Sequence, residues 1–233
     1  NKTKNMEGVP LIIQNSSKFH LYSYKSEREL ENIVTQFTDD VFGKNSVYVD
    51  LKKKITSVNG ISGIPDGFLL DFERNKLFVI EVELSSHDII RHISNQLIRF
   101  KVAMNNPNLK DDLAKSFFNK IEKNNTKNVT LADIQRIIGK NFGIAILIDN
   151  ISEQLVEIVN VLSQDGTDVL AVPFEMYIDR DNNRIFKFTT FTKEAMERES
   201  KKWTFKWTTV PVEKHLGKIK NDFAGVFSEL NSK

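Results

Sequence analysis

Three carboxylates in this sequence are spaced so that they can act together. Asp66, within Gly63-Ile64-Pro65-Asp66-Gly67, is separated by fourteen residues from Glu81, and Glu83 follows in Val79-Ile80-Glu81-Val82-Glu83-Leu84. Leu77 to Leu84 reads as a strand, and strand side chains alternate between faces. Phe78, Ile80, Val82 and Leu84 therefore form one wholly apolar face, and Leu77, Val79, Glu81 and Glu83 form the other. Acids are depleted at the ends of core strands, so two side by side stand out. A two-residue turn at Arg74-Asn75 would pair residues whose numbers sum to 149, setting Asp66 opposite Glu83 and diagonal to Glu81. Two like charges about 4 Å apart repel by about 4 kcal/mol at an effective dielectric of about 20. Such a cluster must take up protons, meet cationic side chains or hold a metal. All-oxygen donors of this kind suit Mg²⁺, Mn²⁺ or Ca²⁺. The alternative is an exposed edge strand whose acids pair with lysines.

The surrounding pattern supplies the elements that must position these acids. Phe19 to Tyr24 reads as a short strand, after an N-terminal arm or edge strand around Val9–Ile13. Ser26 and Glu29 form a capping-box pattern ahead of Leu30, Ile33, Val34, Phe37 and Val41, a helical apolar face that ends at Gly43. Residues 46–58 alternate as a half-buried strand, and Phe68–Phe72 and Leu77–Leu84 make two more strands. A helix over Asp88–Met104, stopped by Asn105-Asn106-Pro107, leads to helices near 109–122 and 131–139. Phe142–Ile148 is a continuous apolar run, as in a strand buried on both faces. A helix over Ser152–Leu162 and strands near 168–178 and 184–190 complete the pattern. The expected fold class is α/β, a mixed sheet with a helix–three strands–helix–strand core and helices on both faces. The expected organisation is an arm over 1–25, an α/β domain over 26–190 and a basic extension over 191–233.

Pro65-Asp66, the fourteen-residue gap and Glu81-Val82-Glu83 resemble the bipartite motif of the PD-(D/E)XK nuclease superfamily, and the element order over roughly 26–148 resembles its restriction-endonuclease-like core. The resemblance implies that Asp66 and Glu81 ligate a divalent metal, Mg²⁺ with Mn²⁺ as a substitute. It departs at the third position, where Glu83 stands in place of the usual Lys. Glu83 would then orient the attacking water or help hold the metal, or Arg91, Arg99 or Lys101 on the following helix would supply the missing cation. The family also places a Glu of the first helix near the metal. Glu27 and Glu31 both qualify by their i, i+4 spacing, and Glu31 is favoured. His92, Gln96 and Arg99 form one stripe of the next helix, and Gln96 with Phe100 resembles the Gln-x-x-x-Tyr element of some nuclease branches. The stripe could hold a phosphate or a metal-bound water, or be an ordinary polar flank.

Charge and composition limit the remaining choices. The 33 basic and 31 acidic residues give a formal net of +2, too little to imply a nucleic-acid partner. The charge is unevenly spread, however, with nine basic and four acidic residues from Arg99 to Lys140 and seven against two from Arg198 to Lys220. Lys202-Trp203-Thr204-Phe205-Lys206-Trp207 could stack bases with Lys202 and Lys206 on the backbone, or its aromatics could be core. The absence of Cys excludes thiolate metal sites and cysteine nucleophiles. His87 reads as loop and N-cap chemistry, and the scattering of His20, His87, His92 and His215 argues against a histidine-based zinc site. No membrane-length apolar run and no signal segment is seen, so a cytoplasmic location is expected.

The expected function is a Mg²⁺-dependent DNA endonuclease in restriction or anti-phage defence, working as a homodimer or with a partner nuclease subunit. The alternative is a nuclease-like module that binds nucleic acid, or scaffolds a complex, without cutting it. A glycosidase using the paired acids fits less well, because carboxylates two apart on a strand project side by side instead of flanking a sugar bond.

Overall fold

Alternating and continuous apolar runs dictate the sheet, and the capped amphipathic segments dictate the helices that cover it. The computed structural model describes residues 11–52, 54–124, 127–164 and 166–191, with the backbone alone for 89–91. Residues 192–233, with Lys202, Lys206 and the aromatic row, lie outside the described residues, as do residues 1–10 and the side chain of Arg91. In chain order the elements are β1 (Leu11–Gln14), β2 (Ser17–Leu21), α1 (Glu27–Gln36), α2 (Thr38–Phe42), β3 (Ser46–Val49), β4 (Ile55–Thr56), β5 (Ser62–Gly63), β6 (Gly67–Asp71) and β7 (Lys76–Glu83). There follow α3 (Ile89–Ala103), α4 (Pro107–Asn124), α5 (Leu131–Ile138), β8 (Gly143–Ile148), α6 (Glu153–Leu162), β9 (Asp168–Ile178) and β10 (Arg184–Phe188).

The protein is α/β with a mixed sheet in the order β1-β2-β9-β8-β7-β6-β3, and β10 pairs with β9. β3, β6 and β7 are antiparallel, whereas β7, β8 and β9 run parallel. Every residue of β8, and every residue of β7 after Lys76, is buried, so both faces of these strands are covered. No helix among the described residues is long and apolar enough to cross a membrane.

Three expectations need correction. The β6–β7 register sums to 147, with Gly67 opposite Ile80 and Asp71 opposite Lys76, because the loop has four residues, 72–75, and not two. Asp71 Oδ1 accepts from the Glu73 and Arg74 amides at 2.9 Å each, and Asn75 takes φ +51°, which completes the longer turn. A slip of two preserves parity, so the acids stay on one face, but continuing this register puts Asp66 opposite Glu81 instead of Glu83. The expected strand over 46–58 is two short ones, and the chain between them carries Lys52. The first helix breaks at Phe37 (φ −114°, ψ 30°), whose ring packs 5.0 Å from that of Phe186.

α1 starts as its sequence dictates, with Ser26 Oγ accepting from the Glu29 amide at 3.3 Å. The Glu29 carboxylate, however, reaches back to the Lys25 amide and the Tyr22 hydroxyl. Leu30, Ile33 and Val34 are buried, and α1 packs against β7, which turns its Glu27–Glu31 flank toward the acidic end of that strand.

Close packing at the centre of the sheet yields a direct prediction. A Cβ on Gly143 would run into the Phe78 ring and lie 3.1 Å from the Asp168 carbonyl oxygen. Phe78 is itself held edge-on by Phe191 at 4.9 Å. Gly143→Ala should therefore cost about 1–3 kcal/mol in urea unfolding, through overpacking. A variant as stable as the parent would contradict this packing.

Candidate active site

β7 ends beside α1, the chain after β3 and the start of α3, and these segments bring five carboxylates and two imidazoles into one electrostatically linked cluster. Asp66, just before β6, turns its Oδ2 back to accept from the Val82 amide at 2.8 Å, between Glu81 and Glu83. Glu81 is 4% exposed, and its Oε2 is buried with no hydrogen-bond partner among the described residues. A buried unpaired carboxylate oxygen is costly unless it is protonated or held by a cation. Burial pushes the Glu81 pKa well above the ordinary range, and the charges of Asp66, Glu83 and Glu27 push it further. Burial, reinforced by Glu31 and Glu83, raises Asp66 to about 6, against the pull of the Val82 amide and Lys52.

Glu83 behaves differently. Burial alone would raise its pKa, but hydrogen bonds from Glu27, His92, the Leu84 amide and His87 hold it below the ordinary value. His87 Nδ1 lies 2.6 Å from Glu83 Oε1, and His92 Nδ1 lies 2.6 Å from Glu83 Oε2. His87 Nδ1 is also 2.8 Å from Glu27 Oε1. Glu27 is raised to about 7, by burial first and then by the hydrogen bond and charge of Glu83. The bond to Glu83 in turn raises His87.

The favoured first-helix acid, Glu31, is buried at 7% exposure and accepts from Lys52 Nζ at 2.6 Å. Lys52 Nζ also lies 4.0 Å from Asp66 Oδ1. The bond to Glu31 raises the Lys52 pKa, so the amine stays charged.

The structure thus brings Asp66, Glu81, Glu83 and Glu31 together and adds Glu27, His87, His92 and Lys52. Gln96 has a buried Oε1 without a hydrogen-bond partner among the described residues. Arg99 and Lys101 are turned elsewhere, Arg99 to the Ser62 carbonyl at 3.3 Å and Lys101 to the Leu162 carbonyl at 2.9 Å. Among the described residues, the cation paired with these acids is Lys52, from the chain after β3. His87 is no mere loop residue, and its ring and that of His92, 6.4 Å apart, are not scattered. The three-residue i, i+4 and i, i+9 relations of Glu83 to these rings arise only once the chain leaves β7 and turns into α3.

A hard dication fits this donor set on one observation above all, the unpartnered Oε2 of Glu81 beside a carboxylate whose pKa is itself raised. Comparisons of the chain with protein-family models, with curated proteins and with solved structures return no match.

Proposed function

We propose that the chain is a Mg²⁺-dependent DNA endonuclease of the PD-(D/E)XK type, with a restriction-endonuclease-like core, acting in restriction or anti-phage defence. The observation that carries this reading is the Asp66–Glu81 pair, two acids of raised pKa, Asp66 part-buried just before β6 and Glu81 buried in β7 with an oxygen unpartnered among the described residues. Supporting it is the order of a helix, three antiparallel strands, a helix and a strand parallel to the third, given by α1, β3, β6, β7, α3 and β8.

Asp66 and Glu81 would hold the metal, which when bound polarises a scissile phosphate and lowers the pKa of a water. Asp66 is oriented for this by the Val82 amide, which bonds Oδ2, while Oδ1 faces Lys52 Nζ at 4.0 Å. Lys52, charged and anchored by Glu31, sets a cation against the developing negative charge and takes the part that the resemblance assigns to the residue at 83. Glu83, ionised and bonded to two imidazoles, is committed to holding them and not to orienting a water. Gln96 Oε1 is an acceptor available to one. Basic residues on and after α3 would neutralise DNA phosphates.

Plasmid cleavage with and without Mg²⁺ tests the reading. Cutting that requires the metal is expected, and Lys52→Met should slow it about 100-fold while DNA affinity changes little. DNA binding with no cutting under any divalent metal would favour the binding-only module instead.

A further inference from the structure

We infer that Glu27, Glu83 and His92 form a second cation position, one that selects a transition metal such as Mn²⁺ or Zn²⁺ over Mg²⁺. The inference rests on the proposed metal-dependent reading for its neighbourhood but on separate ligands for its content. One donor atom from each of the three side chains lies within 4.8 Å of the others, a spacing that a single ion bridges after small side-chain rotations. The Glu27 and Glu83 carboxylates also converge on one point, since His87 Nδ1 lies 2.8 Å from Glu27 Oε1 and 2.6 Å from Glu83 Oε1.

One further observation points to a ligand. Glu81, 4% exposed and two residues along the same face of β7, keeps Oε2 buried and unpartnered while its charge acts on Glu83 and Glu27.

The donor types decide the metal. Carboxylates alone suit Mg²⁺, Ca²⁺ and Mn²⁺, but an imidazole nitrogen favours the later first-row ions. His92 is exposed while Glu83 is fully buried, so the position is anchored from the core and open to water on one side. His87, bonded to Glu83 Oε1 and Glu27 Oε1, orients both carboxylates, as outer partners of metal ligands do.

The test uses the full chain and Mn²⁺ alone, read by electron-spin-echo modulation from ¹⁴N together with an affinity titration. Wild type should show imidazole nitrogen coupled to bound Mn²⁺, and Zn²⁺ should displace Mn²⁺ far more readily than Mg²⁺ does. His92→Ala should lose the nitrogen signal and weaken Mn²⁺ binding about tenfold or more. Asp66→Asn should keep the signal. Bound Mn²⁺ with no nitrogen coupling in wild type would overturn the inference whatever the variants do, and so would coupling that survives His92→Ala. Nitrogen coupling in a protein that cuts no DNA would uphold this site and refute the nuclease reading. Mg²⁺-dependent cutting without the coupling would do the reverse.

Discussion

Asp66→Asn is expected to reduce Mg²⁺-dependent cleavage about 10³-fold or more and to leave the fold intact. The loss follows from removing one of two acids that would hold the metal, an effect worth several kcal/mol of transition-state stabilisation. The fold should survive because the asparagine keeps an oxygen that can accept from the Val82 amide, the contact that positions this side chain now. Without metal the variant should even be more stable at pH 7.5 than the parent, since a part-buried carboxylate facing Glu31 and Glu83 is gone. Cleavage assays and urea unfolding on the same preparations check both halves. Undiminished cutting would remove Asp66 from the mechanism, and lost stability would show that its charge is neutralised in the fold.

The second large effect concerns pH. Asp66 titrates at about 6 and Glu27 at about 7 in the folded protein, both above their ordinary values of 3.8 and 4.5, and Glu81 lies well above its own. Between about pH 4 and 7 the folded state therefore holds more protons than the unfolded chain. The stability these groups contribute is complete below pH 4 and is lost as pH rises through 6 and 7. For Asp66 alone the shift corresponds to about 3 kcal/mol. His87, also raised, acts in the same direction, while the lowered Glu83 loses its contribution only in more acid solution. The metal-free Tm should thus fall from pH 5 to pH 7.5. Mn²⁺ at about 100 times its Kd should restore about 2.7 kcal/mol at pH 7.5 and much less at pH 5, where protons compete for the same oxygens. Asp66→Asn should flatten the metal-free profile. A Tm that is level or rises over this range would contradict the charge assignment.

The faces of β7 were legible in the sequence because alternation is a local property, and every residue from Leu77 to Glu83 is buried as a central strand requires. Parity also survived an error in register, since the turn differs from the expected one by two residues. The signal for the longer turn was present in Asp71, whose side chain caps Glu73 and Arg74, followed by Asn75 with positive φ. Lys52 could not be read in advance. It sits in a run of three lysines that looks like a solvated patch, and only the break between β3 and β4 carries it to Glu31, 21 residues earlier. Glu27, by contrast, was visible as the i, i+4 partner of Glu31. What decides between the two is the approach of α1 to β7, a tertiary distance that helical spacing does not contain. The two imidazoles share that origin, since His87 and His92 meet Glu83 only where the chain turns from β7 into α3.

The most direct test of the central claim is anomalous diffraction from crystals soaked in Mn²⁺. A peak bounded by the carboxylates of Asp66 and Glu81 is the predicted result, with Lys52 still paired to Glu31 beside it. Saturating Mn²⁺ that leaves no peak there, with Glu81 Oε2 found bonded to a neighbouring side chain, would contradict the account.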